Sequence, residues 1–235
     1  MVALGSGMVQ ASGAMAPGEP HSRLGAEPCP ARALGLSLRE ACATCDGRPR
    51  NGQAILARND IVQREGEPAT ALHLVVSGLF REMRLTEDGR AIDMRLVRPG
   101  DVVGVEALDG GQYQCTLQAL TRGRVCRMPV DQVIERCRVD PTQMNALNRV
   151  LARAIREMRD QVVRLGARSA NERVRSLALE LAGDAPAGAW IDLPFGREEM
   201  GALLGLDRAT VSRALHRLVR EGALVLDGRR FRLPG

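Results

Sequence analysis

At 235 residues the chain is long enough for one large or two small domains, and its 33 basic against 28 acidic side chains leave a formal net charge of +5. Every basic side chain is an arginine, a bias that suits a polyanion partner but that a GC-rich genome explains better. Aromatic residues make up only 2% of the chain, which argues against a base-stacking platform for RNA or single strands.

Residues 1–18 are rich in Gly, Ala and Ser and lack both a basic start and a sustained apolar run, so they read as a disordered tail rather than a signal peptide. No run of about eighteen apolar residues marks a membrane span. The six cysteines, without an export signal, are expected as thiols or metal ligands in a reducing cytoplasm. Up to about residue 50 the chain is irregular and punctuated by prolines, with one short helix expected around Leu36 to Ala43. From Gln53 to Met128 short alternating runs take over, among them Leu72–Val76, Leu79–Leu85 and Ala91–Val97. Glu65-Gly66-Glu67, Ser77-Gly78, Glu87-Asp88-Gly89 and Arg98-Pro99-Gly100-Asp101 supply the turns. Regular short strands with such turns predict a sandwich or barrel.

A long helix follows from Pro141 to about Gly166. Leu147, Leu151, Ala154, Met158, Val162 and Leu165 recur at spacings of four and three, a coiled-coil-like seam expected to pair two copies of the chain. The other reading of this seam is a core helix packed on its own chain. Another helix is expected over Asn171–Ala182.

The stretch Arg197–Leu215 reads as a helix-turn-helix. A short helix (Arg197 to Leu204) stops at Gly205, which can take the positive φ of a tight turn, and Asp207 can cap the next helix. Gly201 is small where the two helices must nearly touch. On the second helix Val211, Leu215 and Leu218 form an apolar stripe, while Arg208, Ala209, Ser212 and Arg213 form a polar one near its N-terminus, the end that enters a DNA major groove. Residues Ala223 to Leu233 read as a hairpin turning at Asp227-Gly228, a wing with Arg229, Arg230 and Arg232 near phosphates.

This order of elements resembles the CRP/FNR family of bacterial transcription regulators over roughly residues 50 to 233. Arg64-Glu65-Gly66-Glu67, Val76-Ser77-Gly78, Arg98-Pro99-Gly100-Asp101-Val102-Val103-Gly104 and Leu204 to Leu215 carry the resemblance. It implies an α+β chain: an irregular N-terminal segment with cysteines (1–50), a double-stranded β-roll of cupin-like jelly-roll type (51–138), a dimerisation helix (139–168) and a winged helix-turn-helix (169–235). It further implies a cytoplasmic homodimer, not an enzyme, that binds near-palindromic double-stranded promoter DNA and contacts RNA polymerase. Arg208, Ala209, Thr210, Ser212, Arg213 and Arg229 are the expected DNA contacts, and Leu147, Leu151, Met158 and Val162 the expected dimer contacts.

The resemblance offers two effector chemistries. Cyclic-nucleotide binders carry a Gly-Glu pair for the ribose and an arginine for the phosphate. Here Gly104-Val105-Glu106 displaces the acid by one, and Gln112-Tyr113-Gln114-Cys115-Thr116 has no arginine, which opposes cyclic AMP as the signal. Members of the FNR type hold an iron–sulfur cluster on four thiolates. Cys42, Cys45 and Cys126 match three ligands of a [4Fe-4S] cluster. The family's further ligand, a few residues after the Cys-x-x-Cys, is missing between Asp46 and Gly52; Cys29 is the candidate for the fourth place and Cys115 the second candidate. The other reading makes Cys126 buried packing and Cys42 and Cys45 free or redox-active thiols. Cys137 is expected to be structural, His73 a core or surface histidine rather than a haem ligand, and His21 and His216 lack ligand spacing. The alternatives are the same fold reading haem, nitric oxide, an organic ligand or a cyclic nucleotide, or a thiol redox protein built on Cys42-x-x-Cys45. The last is opposed by the motif's place in a loop-rich tail.

Overall fold

The computed structural model describes residues 53–86, 91–183 and 185–234. The expected short helix at Leu36 to Ala43 and the cysteines at 29, 42 and 45 lie outside them. Two antiparallel four-stranded sheets form the roll. One runs β1 (Gln53–Leu56), β8 (Gly123–Pro129), β3 (Ala71–Ser77), β6 (Val102–Val103); the other runs β2 (Ile61–Gln63), β7 (Thr116–Ala119), β4 (Phe80–Leu85), β5 (Ala91–Val97). Strand alternation divides the side chains. Val75, Phe80, Val97, Leu117 and Val125 fill the space between the sheets, while Leu72, Leu74 and Val76 point outward. β3 is nonetheless buried from Ala71 to Val76, because helices cover its outer face.

Those helices are α1 (Val130–Val139) and α2 (Pro141–Ala167). The Asp140 side chain starts α2 by accepting from the Thr142 backbone N–H at 2.9 Å and from its hydroxyl at 2.7 Å, with Pro141 at the first helical position. Val133, Cys137, Ala146, Leu147 and Val150 pack onto the outer face of β3 and β8. The seam expected along α2 therefore divides. Leu147 is 6% exposed in the core of its own chain, and Leu151 packs partly against that core. Met158 and Val162 are each 67% exposed, with Ile155 and Val163 beside them. The cause is length: 27 residues span about 40 Å, more than the roll can cover, so the first half of α2 is a core helix and the second half projects.

Where α2 leaves the apolar core, ions hold it. Arg95 of β5 donates to Glu82 of β4 at 2.5 Å and to Glu157 of α2 at 3.1 Å. Arg153 donates to Glu157 at 2.7 Å and to Asp101 at 3.0 Å.

The winged helix follows: α3 (Ala170–Ala182), β9 (Ile191–Asp192), α4 (Arg197–Leu204), α5 (Arg208–Arg220), β10 (Val225–Asp227) and β11 (Arg230–Arg232). β9 adds a third strand to the expected hairpin, pairing Ile191 with Phe231; two residues leave no alternation to read in the sequence. Val211, Leu215 and Leu218 of α5 are buried against Met200, Leu203 and Leu204 of α4. Leu96 and Leu120 of the roll belong to the same cluster, so the winged helix docks on the roll's second sheet.

Gly201 is needed for a reason narrower than helix approach. A Cβ there would stand 2.4 Å from the Leu206 carbonyl oxygen, in the turn between the two helices. Neither that oxygen nor the helix backbone can retreat without opening the turn. Gly201→Ala is therefore expected to destabilise the chain by roughly 2–3 kcal/mol despite alanine's better helix propensity, as read by urea unfolding; an unchanged or raised midpoint would contradict this reading of the turn.

Candidate DNA interface and roll interior

Gly205 ends α4 at φ 62°, the left-handed conformation expected of it. Asp207 then caps α5, accepting from the Thr210 backbone N–H and hydroxyl, each at 2.7 Å. These two bonds, the backbone one first, hold its carboxyl below the usual range. Arg208, Ala209 and Arg213 are exposed, and Ser212 is half-buried on the same side. Thr210 is turned back toward the cap, and its hydroxyl also accepts from the Arg213 guanidinium at 2.8 Å. Thr210, expected as a DNA contact itself, thus holds Arg213 in place.

The polar face extends further than the expected contacts. His216, Arg217 and Arg220 continue it along α5, and with Asn171 of α3 they line an open concave surface. The continued helical spacing after Arg213 was the available signal. In the wing Arg230 and Arg232 lie 5.7 and 5.2 Å from the ring centre of Trp190, which is 43% exposed. Arg229 donates to the Leu193 carbonyl at 3.3 Å. Burial, and after it the neighbouring Arg229, lowers the affinity of the Arg197 guanidinium for its proton, so two cations stand together at the start of α4.

Inside the roll Tyr113 is bonded to its own chain. The Tyr113 hydroxyl donates to the Ala71 carbonyl at 3.0 Å and accepts from the Ala71 N–H at 3.2 Å. Its ring lies so near Gly104 that a Cβ there would approach it to 3.0 Å. Around Cys115 stand Glu82, Glu106 and Glu65, and the nearby Arg84 is held by Glu65 at 3.0 Å. Burial first, then Glu82 and Glu106, push the Cys115 thiol up to about 12.

Cys126 lies on β8 in register with Gln53 of β1 on one side and Leu74 of β3 on the other, and is 9% exposed. Gln53 follows Cys45 by eight residues, which reach at most about 28 Å. Cys137 is buried in the same apolar cluster, in keeping with a structural role. His73 is a core histidine whose Nδ1 meets the Gln63 Oε1 at 2.9 Å, while the Gln63 amide donates to the Cys115 carbonyl at 3.2 Å.

An antiparallel roll, a long helix and a winged helix-turn-helix in one chain define a DNA-binding regulator. Residues 54–140 match the cyclic nucleotide-binding domain model and residues 172–234 the Crp-like helix-turn-helix model. The chain is 33% identical to the transcriptional regulator LdrP of Thermus thermophilus, over 75% of this chain and 89% of that protein. It is 28% identical to the transcriptional activator protein FnrA of Stutzerimonas stutzeri, over 85% and 83%. Among solved structures FixK2 of Bradyrhizobium japonicum is similar at 29% identity with a TM-score of 0.71, covering 78% of this chain and 92% of that one. The chain belongs to the CRP/FNR family of transcription regulators.

His73 carries a pH dependence. Burial, and after it the charge of Arg127, lowers its imidazole to about 4 from the ordinary 6.5. As pH falls from 6.5 toward 4 the unfolded chain takes up this proton and the folded one does not, so stability present above 6.5 is lost. Between pH 7 and 4.5 the loss is roughly 2–3 kcal/mol. Urea unfolding of His73→Gln should show a pH slope smaller by that amount; equal slopes would refute the assignment.

Proposed function

We propose that this chain is a homodimeric regulator in which α5 reads the two half-sites of a near-palindromic duplex and the signal enters through the N-terminal cysteine segment. The observation that carries the DNA reading is the capped α5, on which Arg208, Ala209 and Arg213 are exposed near the N-terminus. The projecting half of α2 supplies the pairing surface. Ile155, Met158 and Val162 form a stripe that water would otherwise cover, and Leu147 drops out of it. The units at 1–50, 51–138, 139–168 and 169–235 then serve as signal segment, roll, pairing helix and DNA reader. The relatives' description as transcriptional regulators extends the proposal to RNA polymerase as a partner, in a cytoplasmic setting; no helix among the described residues is long and apolar enough to cross a membrane.

The signal we propose is oxygen or redox state, read by a [4Fe-4S] cluster on Cys29, Cys42, Cys45 and Cys126. Support comes from where the N-terminal segment joins the roll: at the strand position opposite Cys126. Such a cluster would supply an oxygen-labile cross-link between the segment and β8. The internally bonded Tyr113 and the carboxylates around Cys115 support a signal other than a cyclic nucleotide.

Two experiments test the proposal. Arg213→Ala should cost roughly 1–3 kcal/mol on a duplex selected by the wild-type chain and relax preference at one base pair of each half-site. Equal loss on random DNA would reject base contact. The family's recognition helix commonly carries glutamate at the position of Ala209, so Ala209→Glu is expected to sharpen preference for the usual family half-site by a similar amount.

For the signal, Cys29→Ser, Cys42→Ser, Cys45→Ser and Cys126→Ser should each abolish iron content, visible absorption and oxygen-dependent DNA binding in anaerobically purified protein. Cys137→Ser should leave all three intact. Iron-free protein with full redox-dependent binding would instead identify thiol oxidation as the signal.

A further inference from the structure

We propose that Arg58 is a positioning residue for the DNA reader: it staples the β1–β2 turn of the roll to the start of α4 and thereby fixes where α5 is presented. The inference rests on the DNA reading above and goes beyond it, because Arg58 lies on the roll, far in sequence from the reader.

One guanidinium nitrogen, Nη1, donates to the Leu120 carbonyl at 2.7 Å and to the Pro194 carbonyl at 2.5 Å. The other, Nη2, donates to Glu199 of α4 at 2.7 Å. Leu120 belongs to the roll and Pro194 to the segment that enters α4, so one side chain bridges the backbones of two units. An exposed ion pair alone would contribute little, and Arg58 is 41% exposed at its side chain. Here the same group also satisfies carbonyls beside the apolar seam where Leu96 and Leu120 meet the winged-helix core.

Both ends of the staple are held beforehand. Arg58 sits in a turn where the Ala57 N–H donates to Asp60 at 2.8 Å and the Asn59 N–H to the Ala119 carbonyl at 2.8 Å. Asn59 adopts φ 72°, a left-handed conformation uncommon for any residue but glycine, which turns the chain sharply next to Arg58. On the other side Glu199 uses its second oxygen to accept from the Gly196 N–H at 2.9 Å, fixing its carboxylate to the first turn of α4. Loss of the cation therefore removes three bonds and leaves Glu199 without its positive partner.

A dimer must present two recognition helices one helical turn of DNA apart. A reader loose on its roll would still bind one half-site but would bear an ordering cost to engage both. The experiment compares wild type, Arg58→Ala, Arg58→Lys and Arg58→Ala/Glu199→Gln on the duplex selected by the wild-type protein, and on the same duplex with one half-site scrambled. Arg58→Ala should weaken full-site binding about tenfold and leave half-site binding unchanged, with melting of the dimer retained. Arg58→Lys, which can satisfy fewer acceptors, should fall between. The double variant should be no weaker than Arg58→Ala, since both changes act on one contact. Unchanged or tighter full-site binding by Arg58→Ala, or equal loss on both duplexes, overturns the inference while leaving the DNA reading intact. A wild-type chain that selects no duplex overturns both.

Discussion

The ionic junction between the roll and α2 is the contact on which the rest of the molecule depends. Glu82, Arg95, Glu157, Arg153 and Asp101 come from two neighbouring strands, the turn after them and the long helix. Burial raises the proton affinity of Glu82 and Asp101, while the surrounding carboxylates outweigh burial at Arg95 and strengthen its hold on its proton. Ions taken out of water in this way are tolerated only with nearly complete mutual pairing. That demand is directional where apolar packing is not. It ties α2 to β4, β5 and the turn at Asp101 beside the exposed Ile155, Met158 and Val162.

At the far end of the same chain the constraint is steric. The Leu206 carbonyl fits against Gly201 with no room for a methyl group, and Asp207 closes the turn through Thr210. Thr210 in turn holds Arg213. Turn, cap and the Arg213 side chain are therefore tied into one hydrogen-bonded unit. Such a reader is useful only if its placement is also defined, and the seam of Leu96 and Leu120 against the winged-helix core provides that placement within one chain.

The roll interior has been rebuilt around hydrogen bonds among its own groups. Tyr113 satisfies both backbone groups of Ala71, and His73 is kept neutral by burial beside Gln63. These groups satisfy one another without any bound partner. On the other sheet face β8 carries Cys126 in register with Gln53, the first described residue of β1.

Much of this was legible in the residues. Alternation marked Leu72–Val76 and Ala91–Val97, the cap and glycine marked α4 and α5, and the alternating spacing of four and three marked α2, because each of these patterns reports contacts within a few residues of chain. Short β9 was not legible, since two residues carry no period. The face of α2 was legible only as apolar: Leu147 and Met158 share one stripe in the sequence, and one is buried while the other is bare. That difference arises because the roll ends partway along the helix, a fact about how far another part of the chain extends. Arg58 and Trp190 belong to the same category. By itself the sequence determined the elements, their order and the chemistry of the recognition helix; only the tertiary structure decided which cations meet which carbonyls, because those partners are brought together by packing across more than a hundred residues of chain.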